Sequence, residues 1–211
     1  MVRANDQVPY SFSNMSPQPR FGVETAEKLV NWALKFVPPE VHASILEIGS
    51  GNGMLLFALM DAGYAPCTIA GIDYSPEAVS LARSIASTRG ADRISFAVCD
   101  FLKDNPPPLS TMKHKDGHAL WDLLLDKGTF DAIALGKKDE SGKSPAADYP
   151  VQVAKLLTEN GYLLITCVSF LRPSQPSIIY TTTQHATSQR MNSKTYFRIR
   201  RPVLSTSVFW L

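Results

Sequence analysis

Two hydrophobic periods divide the chain into predicted helices and strands. Over residues 21–37 apolar side chains recur every three or four positions, which predicts an amphipathic helix that ends before Pro38. Short apolar runs predict five buried strands, at residues 44–48, 68–73, 94–98, 121–125 and 162–168. Helical runs lie between them at residues 54–62, 75–89 and 149–157. This alternation predicts an α/β fold, a Rossmann-like doubly wound parallel sheet with right-handed crossovers.

The periodic pattern is interrupted at the start of the chain and in two polar stretches. Residues 1–20 are rich in Ser, Asn, Pro and Gln, and we predict a flexible segment there. The stretches 103–119 and 136–147 predict surface loops. The first of them contains His114 and His118, but its prolines argue against a helix that would place both on one face. We therefore expect no metal site there.

The hydrophobic pattern changes again after the fifth predicted strand. We predict one domain over residues 21–168 and an atypical C-terminal segment over residues 169–211. Two short strands are possible in that segment, at residues 194–199 and 202–211, but their spacing fits a seven-strand sheet poorly. We expect the C-terminal strands of the fold to be atypical or missing.

A glycine-rich turn preceded by an acid follows the first predicted strand. Glu47 precedes Gly49, Gly51 and Gly53 at two-residue steps. Glycines let a ligand approach the backbone, and the helix N-terminus behind them offers free N–H groups. Met54 stands where a dinucleotide fingerprint needs glycine, and no P-loop Lys-Ser/Thr follows. A carboxylate here suits a ligand that carries an ammonium group and no phosphate, such as S-adenosylmethionine; the alternative is a purely structural turn.

Acids also stand at the ends of the next three predicted strands, where ligands bind in a parallel α/β sheet. Asp73 is placed to accept hydrogen bonds from ribose hydroxyls, unless it is an ordinary surface aspartate. Asp100 and Phe101 could bind the amino group and the ring face of adenine, or could be a helix cap and a core aromatic. Asp126 could orient an incoming amine near a transferred methyl group, or could be a common strand-end aspartate.

Composition limits the compartment and the partners. A chain of 211 residues with a net charge of +2 gives no argument for nucleic acid or a membrane as partner. No apolar run is long enough for a transmembrane helix, and the N-terminus lacks the apolar core of a signal peptide. Three cysteines without zinc spacing indicate reduced, buried thiols in a cytoplasmic protein.

Five motifs in order carry a resemblance to a known family. The segments ILEIGSGNG, GIDYSPEAV, VCDFL, LLLDKGTFDAI and ENGYLLIT are similar to those of protein-lysine methyltransferases that modify translation elongation factor 1-alpha. That family comprises the methyltransferase-like ten proteins and their fungal counterparts. The match covers about residues 20–166, and DKGTFDAI is its most discriminating element. The resemblance implies the seven-strand methyltransferase fold, S-adenosylmethionine as cofactor and a protein substrate.

The resemblance also implies roles for single residues. It places Glu47 and the three glycines of the turn in the cofactor loop, Asp73 at the ribose, and Asp100 with Phe101 at the adenine. It places Asp126 beside the reaction centre. We expect a monomer that transfers a methyl group to a lysine ε-amine of elongation factor 1-alpha and needs no metal, nucleic acid or membrane.

Two segments depart from the family pattern. Only the end of an N-terminal helix that helps to cover the cofactor is present, as RFGVETAEKLV. After the fifth strand the family typically reads Thr-Ser-Cys-Asn-Trp-Thr, whereas this chain reads ITCVSFLRPSQPS. We hypothesise that a retained intron or a misread frame produced the residues from about Val168 onward. A transcript with one continuous exon across this region would contradict that hypothesis.

Three other functions compete with this interpretation. A small-molecule or nucleic-acid methyltransferase has the same fold, although no concentrated basic stripe supports nucleic acid. A catalytically inactive binding module is compatible with the departures just described, and a cofactor-binding titration would distinguish it. An NAD-dependent oxidoreductase is disfavoured by Met54.

Overall fold

Strands and helices alternate in the computed structural model, which describes residues 20–110, 113–115, 118–167 and 177–182. The strands are β1 (Ile45–Ile48), β2 (Ile69–Asp73), β3 (Ser95–Val98), β4 (Lys113–Lys115), β5 (His118–Lys127), β6 (Leu157–Cys167) and β7 (Ser177–Thr182). The helices are α1 (Arg20–Phe36), α2 (Met54–Asp61), α3 (Pro76–Thr88), α4 (Thr129–Ala134) and α5 (Tyr149–Leu156). Ser75 caps α3 by accepting a hydrogen bond from the Ala78 N–H, and Pro76 occupies its first turn.

The strands form one sheet in the order β3-β2-β1-β5-β6-β7, with β4 paired to β5 beside that path. The neighbours from β3 to β6 are parallel, whereas β7 is antiparallel to β6 and β4 is antiparallel to β5. Parallel neighbours need crossover connections; α2 connects β1 to β2, α3 connects β2 to β3, and α4 with α5 connects β5 to β6. The predicted α/β fold with a doubly wound parallel sheet is confirmed.

The two faces of the sheet pack against separate apolar clusters. Ile45 belongs to a cluster with residues of α1 and α2, whereas Leu46 and Ile48 belong to a cluster with residues of α5. Successive side chains of a strand point to opposite faces, so both faces of β1 are buried. This is why the strand appears in the sequence as a mainly apolar run, broken by the buried Glu47, instead of an alternating one.

The structure differs from the sequence prediction at four places. Part of the predicted loop 103–119 is a hairpin of β4 and β5, in which Lys115 pairs with His118. The turn predicted after residue 125 contains the short helix α4. β6 begins at Leu157, and a register shift opposite Trp121 and Leu123 takes up the turn predicted before residue 162. β7 lies in the C-terminal segment at positions for which we predicted no strand, ahead of the two that we considered possible there.

The C-terminal predictions are only partly within the described residues. β7 pairs with β6 from Ser177 to Thr182, and Ser177 opposes Cys167. Residues 1–19 and the strands predicted at 194–199 and 202–211 lie outside the described residues. The domain boundary at residue 168 stays a prediction. Among the described helices, none is both long enough and apolar enough to span a bilayer.

Candidate cofactor site

A cleft of about 300 Å³ opens at the carboxyl edge of the sheet. Residues from the ends of β1, β2 and β3 and from α4 line it: Ile48, Gly49, Ile72, Asp73, Tyr74, Cys99, Asp100, Phe101, Leu102, Thr129, Ala132 and Ile133. Ile48 is in register with Ile72 on one side and Asp126 on the other, which brings these strand ends together. The volume of the cleft is at the small end of the range for small-molecule sites.

Four of the predicted site residues line this cleft and four do not. Gly49, Asp73, Asp100 and Phe101 are among its walls. The other four lie around it, in β1, in the glycine turn and at the end of β5: Glu47, Gly51, Gly53 and Asp126. The predicted residues therefore lie together at one edge of the sheet, where half of them line the cleft and half lie next to it.

The glycine turn is anchored to the end of β2. The Ser50 N–H donates to the Ile72 carbonyl at 2.9 Å, and the Gly51 N–H donates to Asp73 Oδ2 at 2.9 Å. The three glycines of the turn all have positive φ angles, of 67° at Gly49, 53° at Gly51 and 80° at Gly53. Side chains with a Cβ rarely adopt this conformation, so the turn depends on glycine.

Gly49 also has a steric requirement. A Cβ built there would lie 1.9 Å from Thr129 Oγ1. That hydroxyl donates a 2.9 Å hydrogen bond to the Ile48 carbonyl, which ties the first residue of α4 to the end of β1. The glycine turn and α4 are therefore in direct contact. Thr129, which makes this contact, was not among the predicted site residues.

Glu47 is a buried acid with an unsatisfied oxygen. Its side chain is 1% exposed, and among the described residues none donates a hydrogen bond to its Oε2. Burial raises the pKa of Glu47 to about 8; Lys127 opposes the rise, and the nearby Asp126 and Asp73 add to it. A buried acid without a partner is costly, and an incoming cation would relieve that cost.

Asp126 is fully buried, and its carboxylate is bonded within the protein. Oδ1 accepts from the Thr129 N–H at 2.7 Å, and Oδ2 accepts from the Phe130 N–H at 2.9 Å and the Tyr149 hydroxyl at 2.6 Å. Burial raises the pKa of Asp126 to about 6, against the lowering effect of these hydrogen bonds. All three hydrogen bonds hold the Asp126 carboxylate inside the fold. A direct contact of this carboxylate with a substrate amine stays a prediction.

Asp100 and Phe101 form the wall at the end of β3. The Asp100 carboxylate accepts from the Leu102 N–H and from Lys103 Nζ at 2.7 Å, and this partner holds the pKa of Asp100 below its ordinary value. The Phe101 side chain is 5% exposed, with its ring centroid 5.0 Å from that of Tyr149. The two alternatives weighed for these residues, a ligand contact and a structural cap with a core aromatic, both agree with this geometry.

Sequence reasoning missed a second aromatic residue of the cleft, beside Phe101. Tyr74 lines it and is 81% exposed, although it directly follows Asp73. An exposed aromatic beside a cleft can pack against a planar ligand ring. The sequence did contain a signal for Tyr74, because this large aromatic side chain directly follows the end of the predicted strand 68–73. Within the described residues no group of His, Cys, Asp or Glu side chains is arranged to hold a metal ion.

Comparisons with known proteins agree on one family. The family model described as a methyltransferase domain matches residues 39–199. The chain is 37% identical over 158 residues to the protein-lysine N-methyltransferase efm4 of Schizosaccharomyces pombe, covering 69% of this chain and 63% of that protein. It is 35% identical over 152 residues to mouse EEF1A lysine methyltransferase 2, covering 72% and 56%.

A third relative shows a similar extent of likeness. The protein-lysine N-methyltransferase EFM4 of Saccharomyces cerevisiae is 36% identical over 142 residues, which cover 66% of this chain and 57% of that protein. The chain thus spans less than two thirds of the length of each of these relatives.

Proposed function

Because the chain belongs to the methyltransferase-domain family, we propose that it is an S-adenosylmethionine-dependent protein-lysine N-methyltransferase acting on translation elongation factor 1-alpha. The observation that carries this proposal is the buried carboxyl group of Glu47 beside the glycine turn, whose Oε2 accepts no hydrogen bond from any residue that the structure describes. The names of the relatives support lysine as the acceptor and elongation factor 1-alpha as the substrate.

The residues of the site fit this cofactor. S-adenosylmethionine has an ammonium group and a sulfonium group but no phosphate, so it needs acids more than free N–H groups. Glu47 supplies a buried acid, and Asp73 supplies a carboxylate that is 9% exposed at the cleft wall. No atom of the described residues lies within 4 Å of a Cβ built at Gly51, which leaves open space above the turn among them. We therefore propose that Glu47 binds the ammonium group and Asp73 the ribose, and that Asp100 and Phe101 bind the adenine.

In this proposal the chain positions two reactants and supplies no strong base. The bound cofactor supplies an electrophilic methyl group on its sulfonium. A lysine amine must be neutral to attack it, whereas lysine ordinarily titrates near pKa 10.4. A site that excludes water lowers the pKa of an entering amine, because burial disfavours the charged form. Transfer then depends mainly on orientation and electrostatics.

We also propose the setting in which the protein acts. Its substrate is a protein, and we expect it to act as a monomer in the cytoplasm without nucleic acid, membrane or metal. The alternatives are a small-molecule substrate or another protein substrate on the same fold, and an inactive module that only binds the cofactor.

The experiment that tests the proposal is transfer of a tritiated methyl group from S-adenosylmethionine to purified elongation factor 1-alpha by the full chain. Label in the protein that mass spectrometry assigns to a lysine supports it. As a control for the effect of a substitution outside the cleft, Asp92→Ala, which replaces an exposed aspartate before β3, should retain full transfer. Calorimetric binding of S-adenosylmethionine without any transfer would favour the inactive module, and absence of binding would overturn the proposal.

A further inference from the structure

Tyr149, the first residue of α5, connects two walls of the cleft. Its hydroxyl donates the 2.6 Å hydrogen bond to Asp126 Oδ2, and both side chains are buried, at 2% and 0% exposure. A short hydrogen bond to a carboxylate is stronger than one between neutral groups. Neither this hydrogen bond nor Tyr149 has a role in the methyl transfer proposed for this site.

The ring of Tyr149 packs between aromatics from two other elements. Its centroid lies 5.0 Å from that of Phe101, which lines the cleft after β3, and 5.0 Å from that of Phe130 in the first turn of α4. Tilted and edge-on ring pairs at such distances are favourable. One side chain thus contacts the proposed adenine wall and the start of α4 together.

Asp126 extends these contacts to β1. Its carboxylate accepts from the N–H groups of Thr129 and Phe130, and the Thr129 hydroxyl donates to the Ile48 carbonyl. A continuous series of contacts therefore runs from Phe101 through Tyr149 and Asp126 to the residue before the glycine turn. Thr129 and Phe101 both line the cleft, so a shift in this series changes its shape.

We propose that Tyr149 is a positioning residue for the cofactor: its hydroxyl fixes Asp126, and its ring fixes Phe101, so that α4 and the adenine wall stay at the spacing the cofactor needs. This inference rests on the proposed function. It assigns Asp126 a positioning role as well, through α4 and the glycine turn, in place of direct contact with the substrate amine.

The charged surroundings of Asp126 give this role a pH signature. Tyr149 on α5 lowers the pKa of Asp126 by hydrogen bonding, whereas Asp131 on α4 raises it. Glu47 on β1 also interacts with Asp126, because each of these acids disfavours the charged form of the other. Protonation of Asp126, whose pKa is about 6, weakens its hold on the N–H groups of α4. Without the tyrosine hydroxyl the pKa of Asp126 rises, so cofactor affinity should decline at a higher pH.

The test compares Tyr149→Phe with Tyr64→Phe in the full chain. Tyr64 is also buried, and its hydroxyl donates a 2.8 Å hydrogen bond to the Val37 carbonyl, away from the cleft. Each variant therefore loses one buried hydroxyl. Calorimetry would measure the affinity of each protein for S-adenosylmethionine between pH 5 and 9, and urea unfolding would show that both variants fold. Glu47 is present in all three proteins, so any pH dependence that it contributes independently of Asp126 is shared by them.

We expect Tyr149→Phe to weaken cofactor binding roughly 5- to 50-fold at neutral pH, since α4 and the adenine wall are no longer held at the spacing that the cofactor needs. Its acid-side loss of affinity should begin at a higher pH than in the wild type, and Tyr64→Phe should match the wild type in both respects. If the wild type binds the cofactor and Tyr149→Phe matches it in affinity and pH profile, the inference is overturned while the proposed function survives. If the wild type does not bind the cofactor, both are overturned.

Discussion

The N–H of Gly51 donates a 2.9 Å hydrogen bond to Oδ2 of Asp73. The other oxygen, Oδ1, accepts from the Ser75 N–H at 2.9 Å, just before α3. One carboxylate thus connects the glycine turn, the end of β2 and the start of the next helix. The ribose contact proposed for Asp73 would use the acceptor capacity that these two bonds leave, since a carboxylate can accept about four.

Replacing Asp73 tests both parts of this relationship. Asp73→Ala should weaken S-adenosylmethionine binding about 10- to 100-fold, because it removes a charged acceptor and releases the glycine turn. Asp73→Asn keeps one oxygen for Gly51 or Ser75 and should lose less. Calorimetry measures both, with the exposed Asp92→Ala as the control that should bind as the wild type does. Wild-type affinity in Asp73→Ala would remove this residue from the site.

Gly49→Ala should be far more damaging than the same change at another glycine with a positive φ. Gly90 has a φ of 66° and open space around a built Cβ, so Gly90→Ala adds only backbone strain of about 1 kcal/mol. Gly49→Ala adds the overlap with Thr129 Oγ1, which should cost roughly a further 1–3 kcal/mol. Urea unfolding measures the difference. Equal losses in the two variants would show that α4 moves aside freely.

Glu47 should release a proton when the cofactor binds. With a pKa of about 8, its carboxyl group is mostly protonated at neutral pH in the free protein. A bound ammonium group favours the carboxylate, so we expect about one proton to be released per cofactor at neutral pH. Calorimetry in buffers with different ionisation enthalpies counts that proton, and Glu47→Gln should abolish the release. Release that persists in Glu47→Gln would assign it to another group.

The same acid should make the free protein less stable at high pH. The pKa of Glu47 is raised by folding, so its favourable contribution is complete below the ordinary glutamate range and is lost as pH rises through about 8. The glutamine side chain of Glu47→Gln has no proton to lose, so it does not make the variant less stable at high pH. Between pH 5 and pH 9 the free energy of unfolding of the wild type should therefore fall by roughly 1–4 kcal/mol more than that of the variant. Urea unfolding at the two pH values measures this, and a pH-independent difference between the proteins would contradict it.

The sequence was sufficient to predict the parallel sheet and the edge at which the site forms. β1 and β2 are buried on both faces, so each appears as a mainly apolar run with a clear end, although Glu47 lies within β1. Acids at the ends of such runs lie at the carboxyl edge, and the structure has Asp73 and Asp126 there, while their roles toward a ligand stay predictions. The strength of the prediction came from the polarity change at each strand end.

The contacts that shape the cleft could not be predicted in the same way. Tyr149 and Asp126 are 23 positions apart, and Thr129 and Ile48 are 81 apart, so no local period records that they meet. α4 has only six residues, which is too short for a helical period to be visible. The hairpin of β4 and β5 was missed although Asp116-Gly117, a common two-residue hairpin connection, stands between its paired ends.

Two aspartates of β5 should separate stability from cofactor binding. Asp122 Oδ2 accepts from the N–H and the hydroxyl of Ser44 at 3.0 and 2.9 Å, and Oδ1 accepts from the Thr158 hydroxyl at 3.3 Å. Since Ser44 directly precedes β1, these bonds lie at the amino edge of the sheet, opposite the cleft. Asp122→Ala should therefore lower the free energy of unfolding by about 1–3 kcal/mol and leave cofactor affinity within about twofold of the wild type.

Asp126→Ala should lower both quantities, because its carboxylate holds α4 and Tyr149 against the cleft. Urea unfolding and calorimetry on both variants give the comparison. Asp122 and Asp126 have the same chemistry and lie four residues apart on one strand, so any difference in affinity reflects their positions. If Asp122→Ala weakened cofactor binding as much as Asp126→Ala does, the effect would be a general loosening of β5, and Asp126 would have no particular role at the cleft.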